Sequence, residues 1–200
     1  MYAEPASPAP SDVAPPDDAA VLDAARRVFT DQGFHGATFE DLARACGLTP
    51  EALQARYADK LALFTAVLIG LEKALDSHCR AASAAALGRP MDMFMAGSRA
   101  ALEFAGRRDF ARIVMIEGPV VLGEDAWIDI DHGLGLPTLR NGLRALAPQA
   151  SEAALRPMAL MIMGAMNEVI LGLARGDEGV EIEPSLAVLR KLITAWIERP

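Results

Sequence analysis

Residues 38–60, TFEDLARACGLTPEALQARYADK, read as two short helices joined by a tight turn at Cys46-Gly47-Leu48. Thr38 is placed to cap the first helix, with Glu40 and Asp41 in its first turn, where the helix dipole favours anions. Leu42 and Cys46 lie one turn apart and share a face. Gly47 stands where a helix C-terminus needs a left-handed residue. Thr49 caps the second helix, Pro50 takes its first position, and Leu48 is placed to staple onto Leu53. Together these features predict a helix-turn-helix.

Upstream of the motif, Asp17-Asp18 open a helix predicted to run to about Gln32. Its apolar residues Val21, Leu22, Ala25, Val28 and Phe29 keep the 3–4 spacing, and Gly33 ends it. Phe34 is expected in a small core between that helix and the motif. Residues 1–16 hold five of the chain's 13 prolines and no apolar periodicity, which predicts a disordered tail. Downstream, Asp59 caps a long helix with one apolar face, formed by Leu61, Phe64, Leu68, Leu71 and Leu75. Running unbroken to about Ala85, it would join an N-terminal module to a second domain.

Gly88-Arg89-Pro90 breaks that helix. Further helices are predicted at 91–105, 109–117, 125–146, 152–175 and 184–198. The breakers between them are Gly106, Gly118-Pro119, Gly123, Pro148 and the run from Gly176 to Gly179. Gly133, Gly135 and Pro137 leave open whether 125–146 is one helix or two. Pro157 predicts a late start for the helix that follows.

Composition points the same way. The chain is 52% hydrophobic with only 6% aromatics, dominated by Ala and Leu, which favours helices over sheet. The expected fold is all-α, with a three-helix head over residues 17–60 and a connecting helix and larger body over 61–200. Cys46 and Cys79 have no metal or disulfide-framework spacing, as in a reduced cytoplasmic protein. The N-terminus is acidic and Pro-rich, unlike a signal peptide. The most apolar window, 158–174, contains Asn167 and Glu168 and is short for a bilayer, so no membrane span is expected.

The segments AARRVFTDQGFHGAT (24–38) and FEDLARACGLT (39–49), followed by Tyr57, Asp59 and Lys60, resemble the TetR family of transcriptional regulators. IEGPVVLG (116–123) with Trp127 resembles one branch of that family's body. The resemblance covers residues 17–200. It implies a homodimer whose head binds double-stranded operator DNA and whose body binds a small effector.

On that resemblance, Thr38, Thr49 and Lys60 are the phosphate-contact candidates, helix N-termini being suited to anions. The alternative is that both threonines are caps only and Lys60 is a solvated charge. Tyr57 would keep its ring in the core and its hydroxyl free. Arg44 and Arg56 flank the motif and could reach phosphates or stay solvated. With Leu53 inward, Glu51 and Ala55 fall nearly opposite it, at about 100° per residue. Gln54 could pair with adenine and Glu51 accept from cytosine N4. Gln54 and Ala55 stand where family members often carry a Tyr-His pair. Residues 17–60 hold five bases against eight acids, and the whole chain is at −8, an unusual balance for gripping a polyanion.

Eight of nine methionines fall between 91 and 166, which suits a plastic apolar pocket as well as an ordinary core. Phe94, Phe104, Met115, Trp127 and Met163 are the candidate lining, with Glu117 and Asn167 as polar groups able to orient a ligand. Otherwise Glu117 is a paired or exposed acid and Asn167 an interhelical hydrogen bonder. Asp129, Asp131 and His132 read as a solvated loop rather than a metal site, so no metal or cofactor is expected. No nucleophile elbow, Walker loop, dinucleotide fingerprint or HExxH is present, and the chain is not expected to be an enzyme.

Residues 152–198 form the expected dimer interface, with small Gly164, Ala165 and Gly172 and the apolar stripe Leu186, Leu189, Ile193 and Trp196. Burial within one chain is the alternative for half of these. The expected function is a DNA-binding regulator of repressor type, released from its operator by a small apolar effector. The alternative is a ligand- or protein-binding module of the same fold with weak or lost DNA binding.

Overall fold

The computed structural model describes residues 16–198, so the tail assigned to 1–16 lies outside the described residues apart from Pro16. Those residues form helices and no strand. In order they are α1 (Asp18–Gly36), α2 (Phe39–Ala45), α3 (Pro50–Gln54), α4 (Lys60–Ala85) and α5 (Pro90–Ala105). Then come α6 (Arg108–Phe110), a π-helical segment (Ala111–Glu117), α7 (Gly118–Leu122), α8 (Glu124–Leu146), α9 (Glu152–Arg175) and α10 (Ile182–Ile197).

The caps fall where the sequence places them. Asp17, Thr38, Thr49 and Asp59 each accept a hydrogen bond from the backbone N–H three residues on. Gly47 has φ 67°, and α2 closes with two reversed bonds: Leu48 N–H to the Ala43 carbonyl and Gly47 N–H to the Arg44 carbonyl. That is a Schellman closure, open to a residue without Cβ strain. Phe29, Phe34 and Phe64 interlock at 5.1–6.3 Å between ring centroids, sealing α1 and α2 onto the start of α4. Leu42, Leu53, Leu63 and Leu68 complete this part of a core that continues without a break into the body.

α4 is the shared beam. It runs unbroken to Ala85, packs on α1 at its start and on α5 and α8 along its length. Two expectations are corrected beyond it, and one left open is decided. Gly118-Pro119 does not break the chain, which stays helical from Arg108 to Leu122 by widening to a π-helix over Ala111–Glu117. Pro119 has no N–H for the Met115 carbonyl and its ring crowds that carbonyl, so the wider turn relieves what an α-turn would not tolerate. The segment with Gly133, Gly135 and Pro137 is one helix, α8. There the glycines serve packing: a Cβ on Gly135 would meet Met163 Cε at 2.7 Å, and one on Gly142 would meet the Phe94 ring at 2.8 Å. Finally, α9 starts at Glu152 with Pro157 inside it, rather than late. α9 is also the one helix among the described residues long and apolar enough to cross a membrane.

Candidate nucleic-acid interface and effector cavity

α3 buries Leu53 completely and turns Glu51, Gln54 and Ala55 outward, as the helical wheel requires. Thr38 and Thr49 are exposed at the starts of α2 and α3. Tyr57 is half-buried against the core, and burial raises its phenol pKa. Thr38, Thr49, Glu51 and Gln54 are thus all exposed on the head.

The bases around that face already have partners. Arg44 pairs with Asp41 at 2.7 Å, and Asp41 is held below the ordinary carboxylate range by the Thr38 hydroxyl and then by Arg44. Arg56 donates to the Pro16 carbonyl at 2.7 Å and lies 3.5 Å from Asp18. Lys60 donates to the carbonyls of Phe34 at 2.8 Å and Ala37 at 2.9 Å, with its ammonium 4.5 Å from the centroid of the Phe34 ring. Two of its three N–H bonds thus lock the turn between α1 and α2.

A second cluster ties head to body. Gly33, at φ 74°, kinks the end of α1. Against the kink, Glu117 accepts from the Phe34 N–H at 2.7 Å, and Arg112 holds Glu117 at 3.1 Å while donating to the Thr30 and Asp31 carbonyls at 3.0 and 3.2 Å. A Cβ on Gly33 would sit 2.4 Å from Glu117 Oε1, so only glycine admits this carboxylate. Nearby, Arg26 pairs with the buried Asp109 and Arg108 with Asp31 at 3.3 Å. Glu117 is therefore a strut between head and body and does not line the cavity.

The cavity itself lies among α4, α5, α8 and α9 and has a volume of about 150 Å³. Of the expected lining, Phe94, Met163 and Asn167 border it, whereas Phe104, Met115, Glu117 and Trp127 do not. Met115 is buried on the π-helical segment. Phe104 meets Phe110 edge-to-face and carries Arg107 over its ring, and Trp127 packs by Gly118 with its Nε1 buried and unpartnered. The sequence reading put these rings in the pocket as apolar lining, but they pack elsewhere in the body.

Acidic residues missed in the sequence complete the wall: Glu72, Asp76 and Asp131. Asp131 receives Asn167 Nδ2 at 3.4 Å, and Asp76 receives the Thr138 hydroxyl. Glu72 is 3% exposed, and burial, with Asp131 second, pushes its pKa up to about 8. Burial also raises the Asp131 carboxyl and lifts the Cys79 thiol to about 12. A signal for Glu72 was available: it lies four residues after Leu68 and three before Leu75, inside the apolar stripe of α4. Asp131 does not belong to a solvated loop but to buried helix.

The description "Bacterial regulatory proteins, tetR family" matches residues 21–67, and "Tetracyclin repressor-like, C-terminal domain" matches residues 91–196. The chain is 32% identical over 56 residues to the HTH-type transcriptional regulator UidR of Escherichia coli K12, a stretch that takes in 28% of this chain and 29% of that protein. A TetR-family transcriptional regulator from Pectobacterium atrosepticum superposes with TM-score 0.73 at 26% identity, covering 91% of this chain and 94% of its own. AibR, solved with isovaleryl coenzyme A and operator DNA, shares the fold with TM-score 0.60 at 17% identity, covering 87% and 96%. With the two-helix motif at one end and the cavity-bearing helical body at the other, both matched in order, the chain belongs to the tetR family of bacterial regulatory proteins.

Proposed function

We infer that this protein is a cytoplasmic, homodimeric repressor that binds operator DNA through α2 and α3 and leaves it when a small effector with an apolar body fills the cavity. The observation that carries this reading is the capped α2–α3 pair with Thr38, Thr49, Glu51 and Gln54 all exposed on it. In this reading the threonine caps and Lys60 address phosphates, while Gln54 and Glu51 read base edges. Arg44, Arg56 and the Tyr57 hydroxyl would add backbone contacts.

Dimerisation is proposed through α9 and α10. Leu186, Leu189 and Ile193 are buried within the chain, but Val188 and Leu192 form a second, exposed stripe on α10. On α9, Met161 is exposed beside Gly164, whose Cα faces open space. Gly172, by contrast, packs on Val180. A two-fold axis there presents two motifs to successive major grooves about one helical turn apart. Release follows by linkage, since an effector that favours a head spacing unfit for DNA lowers DNA affinity by that same preference. The Glu117–Phe34 strut is the proposed route from body to head.

The charge pattern favours a second reading, a ligand-responsive module with weakened DNA binding. The head is net acidic, and Arg44, Arg56 and Lys60 are engaged within it. A band shift on the DNA upstream of its own gene, across salt concentrations, separates the two. A retarded species with a steep salt slope is expected, and none at ~50 mM salt would establish the second reading.

A further inference from the structure

The cavity between α4, α5, α8 and α9 contains no basic residue, and its polar wall is acidic. Glu72, Asp76 and Asp131 supply three carboxyl groups and Asn167 an amide. Their situations differ. Asp76 takes the Thr138 hydroxyl and faces the exposed Arg80 at 3.7 Å, and Asp131 takes Asn167. Glu72 has no hydrogen-bond or ion-pair partner among the described residues, although it is 97% removed from solvent, 3% remaining exposed. Its carboxyl oxygens keep access to the cavity it lines, so an occupant there can reach a group that is costly to leave buried and unpartnered.

Three acids with no base would suit a cation. A metal ion does not fit, because no group of three metal-capable side chains converges among the described residues. The rest of the wall is apolar, with Phe94, Met163 and Ile170 prominent. A cavity of about 150 Å³ is the size that admits a benzene-like ring.

Resting on the effector reading above, we propose that the cavity binds a compact lipophilic amine, its ammonium on the Glu72 carboxylate and its apolar body against Phe94 and Met163. In the empty protein, Glu72 holds a proton at neutral pH. The groups facing it are Asp76 and Cys79 from its own helix and Asp131, with His132 behind, from α8; α5 and α9 present no titratable side chain to the cavity. When the ammonium arrives, Glu72 ionises, and its proton leaves to solvent. The ion pair forms on a carboxyl group that is 3% exposed, where charge attraction is stronger than at the surface, which makes the charge selective. An anionic ligand meets three carboxyl groups and is excluded.

Calorimetry on the full chain at pH 7 with benzylamine, benzyl alcohol and benzoate tests this. Benzylamine is expected to bind at least about tenfold more tightly than the alcohol, with benzoate silent, and to release about one proton per molecule bound, read from buffers of different ionisation enthalpy. Glu72→Gln is expected to abolish both the preference and the proton release while retaining the alcohol. Equal affinity for amine and alcohol, no binding by any of the three, or a preference that survives Glu72→Gln would overturn the assignment. The band shift reads the regulator independently: an operator complex that persists through any of these outcomes leaves the repressor reading standing.

Discussion

The Glu117 carboxylate reaches across from the body to accept the Phe34 N–H at 2.7 Å, at the one place where α1 is bent by Gly33. The contact is possible only because position 33 has no Cβ. It joins the turn that precedes the α2–α3 motif to a π-helical segment of the body, and so binds two units that a reader of the chain would draw separately.

Gly33→Ala therefore meets two penalties, a strained positive φ and a clash with Glu117. Unfolding in urea is expected to show a loss of about 1–3 kcal/mol. Glu117→Ala removes a charge-assisted bond worth about 1.5–3 kcal/mol and leaves Arg112 unpaired. In a chain of 200 residues either change should lower the Tm by several degrees, at roughly 2–4 °C per kcal/mol. A Tm within one degree of wild type for both variants would show the strut to be idle.

Glu51 is fully open on α3, and replacing it by Lys changes the local charge by two units without touching the core. Glu51→Lys should tighten non-specific DNA binding and steepen the slope of log K against log salt by about 0.9 per phosphate newly contacted. An unchanged slope would mean that position 51 does not face the backbone.

Glu72 gives a stability signature of defined sign. Its folded pKa, near 8, lies above its unfolded value, so folding holds a proton the unfolded chain has lost. That contribution is intact below about pH 4.5 and is lost as pH rises towards 8. Asp131 is shifted the same way by burial. Glu72→Gln should thus be more stable than wild type at pH 8.5, by an amount on the order of a few kcal/mol, with the gap closing by pH 5. Parallel Tm curves across that range would contradict the burial-driven shift.

Met161 and Leu192 are 62% and 60% exposed on the proposed dimer face. The double variant Met161→Lys, Leu192→Glu is expected to sediment as a monomer at concentrations where the wild type is a dimer, with its helical circular dichroism retained. An unaltered dimer would move the interface elsewhere.

Local chemistry made the head legible. The caps at Asp17, Thr38, Thr49 and Asp59 and the left-handed Gly47 act over three or four residues, and the structure places each where its spacing requires. The body was legible as helices but not as a site. Phe104, Met115 and Trp127 have the same apolar signature as Phe94 and Met163, and only the crossing of α4, α5, α8 and α9 decides which of them meets a void. Pro119 carried the wrong expectation for a related reason, and Pro137 left one helix or two undecided. A proline removes one backbone bond, and packing around α7 and α8 outweighs that loss. Long-range partners of charges, such as Lys60 on the Phe34 and Ala37 carbonyls, have no local trace at all.

The close approach of Gly135 to Met163 and of Gly142 to Phe94 has a bearing on how such a protein changes what it responds to. Both glycines belong to α8, and each leaves room for a residue that borders the cavity. A single methyl added at either would push Met163 or Phe94 aside and reshape the space for a ligand, leaving every carboxyl group and the whole DNA-facing surface as they are. The α8 glycines thus set the size of the cavity, while Glu72 and Asp76 of α4 and Asp131 of α8 set its charge, and one codon in α8 is enough to change the first without the second.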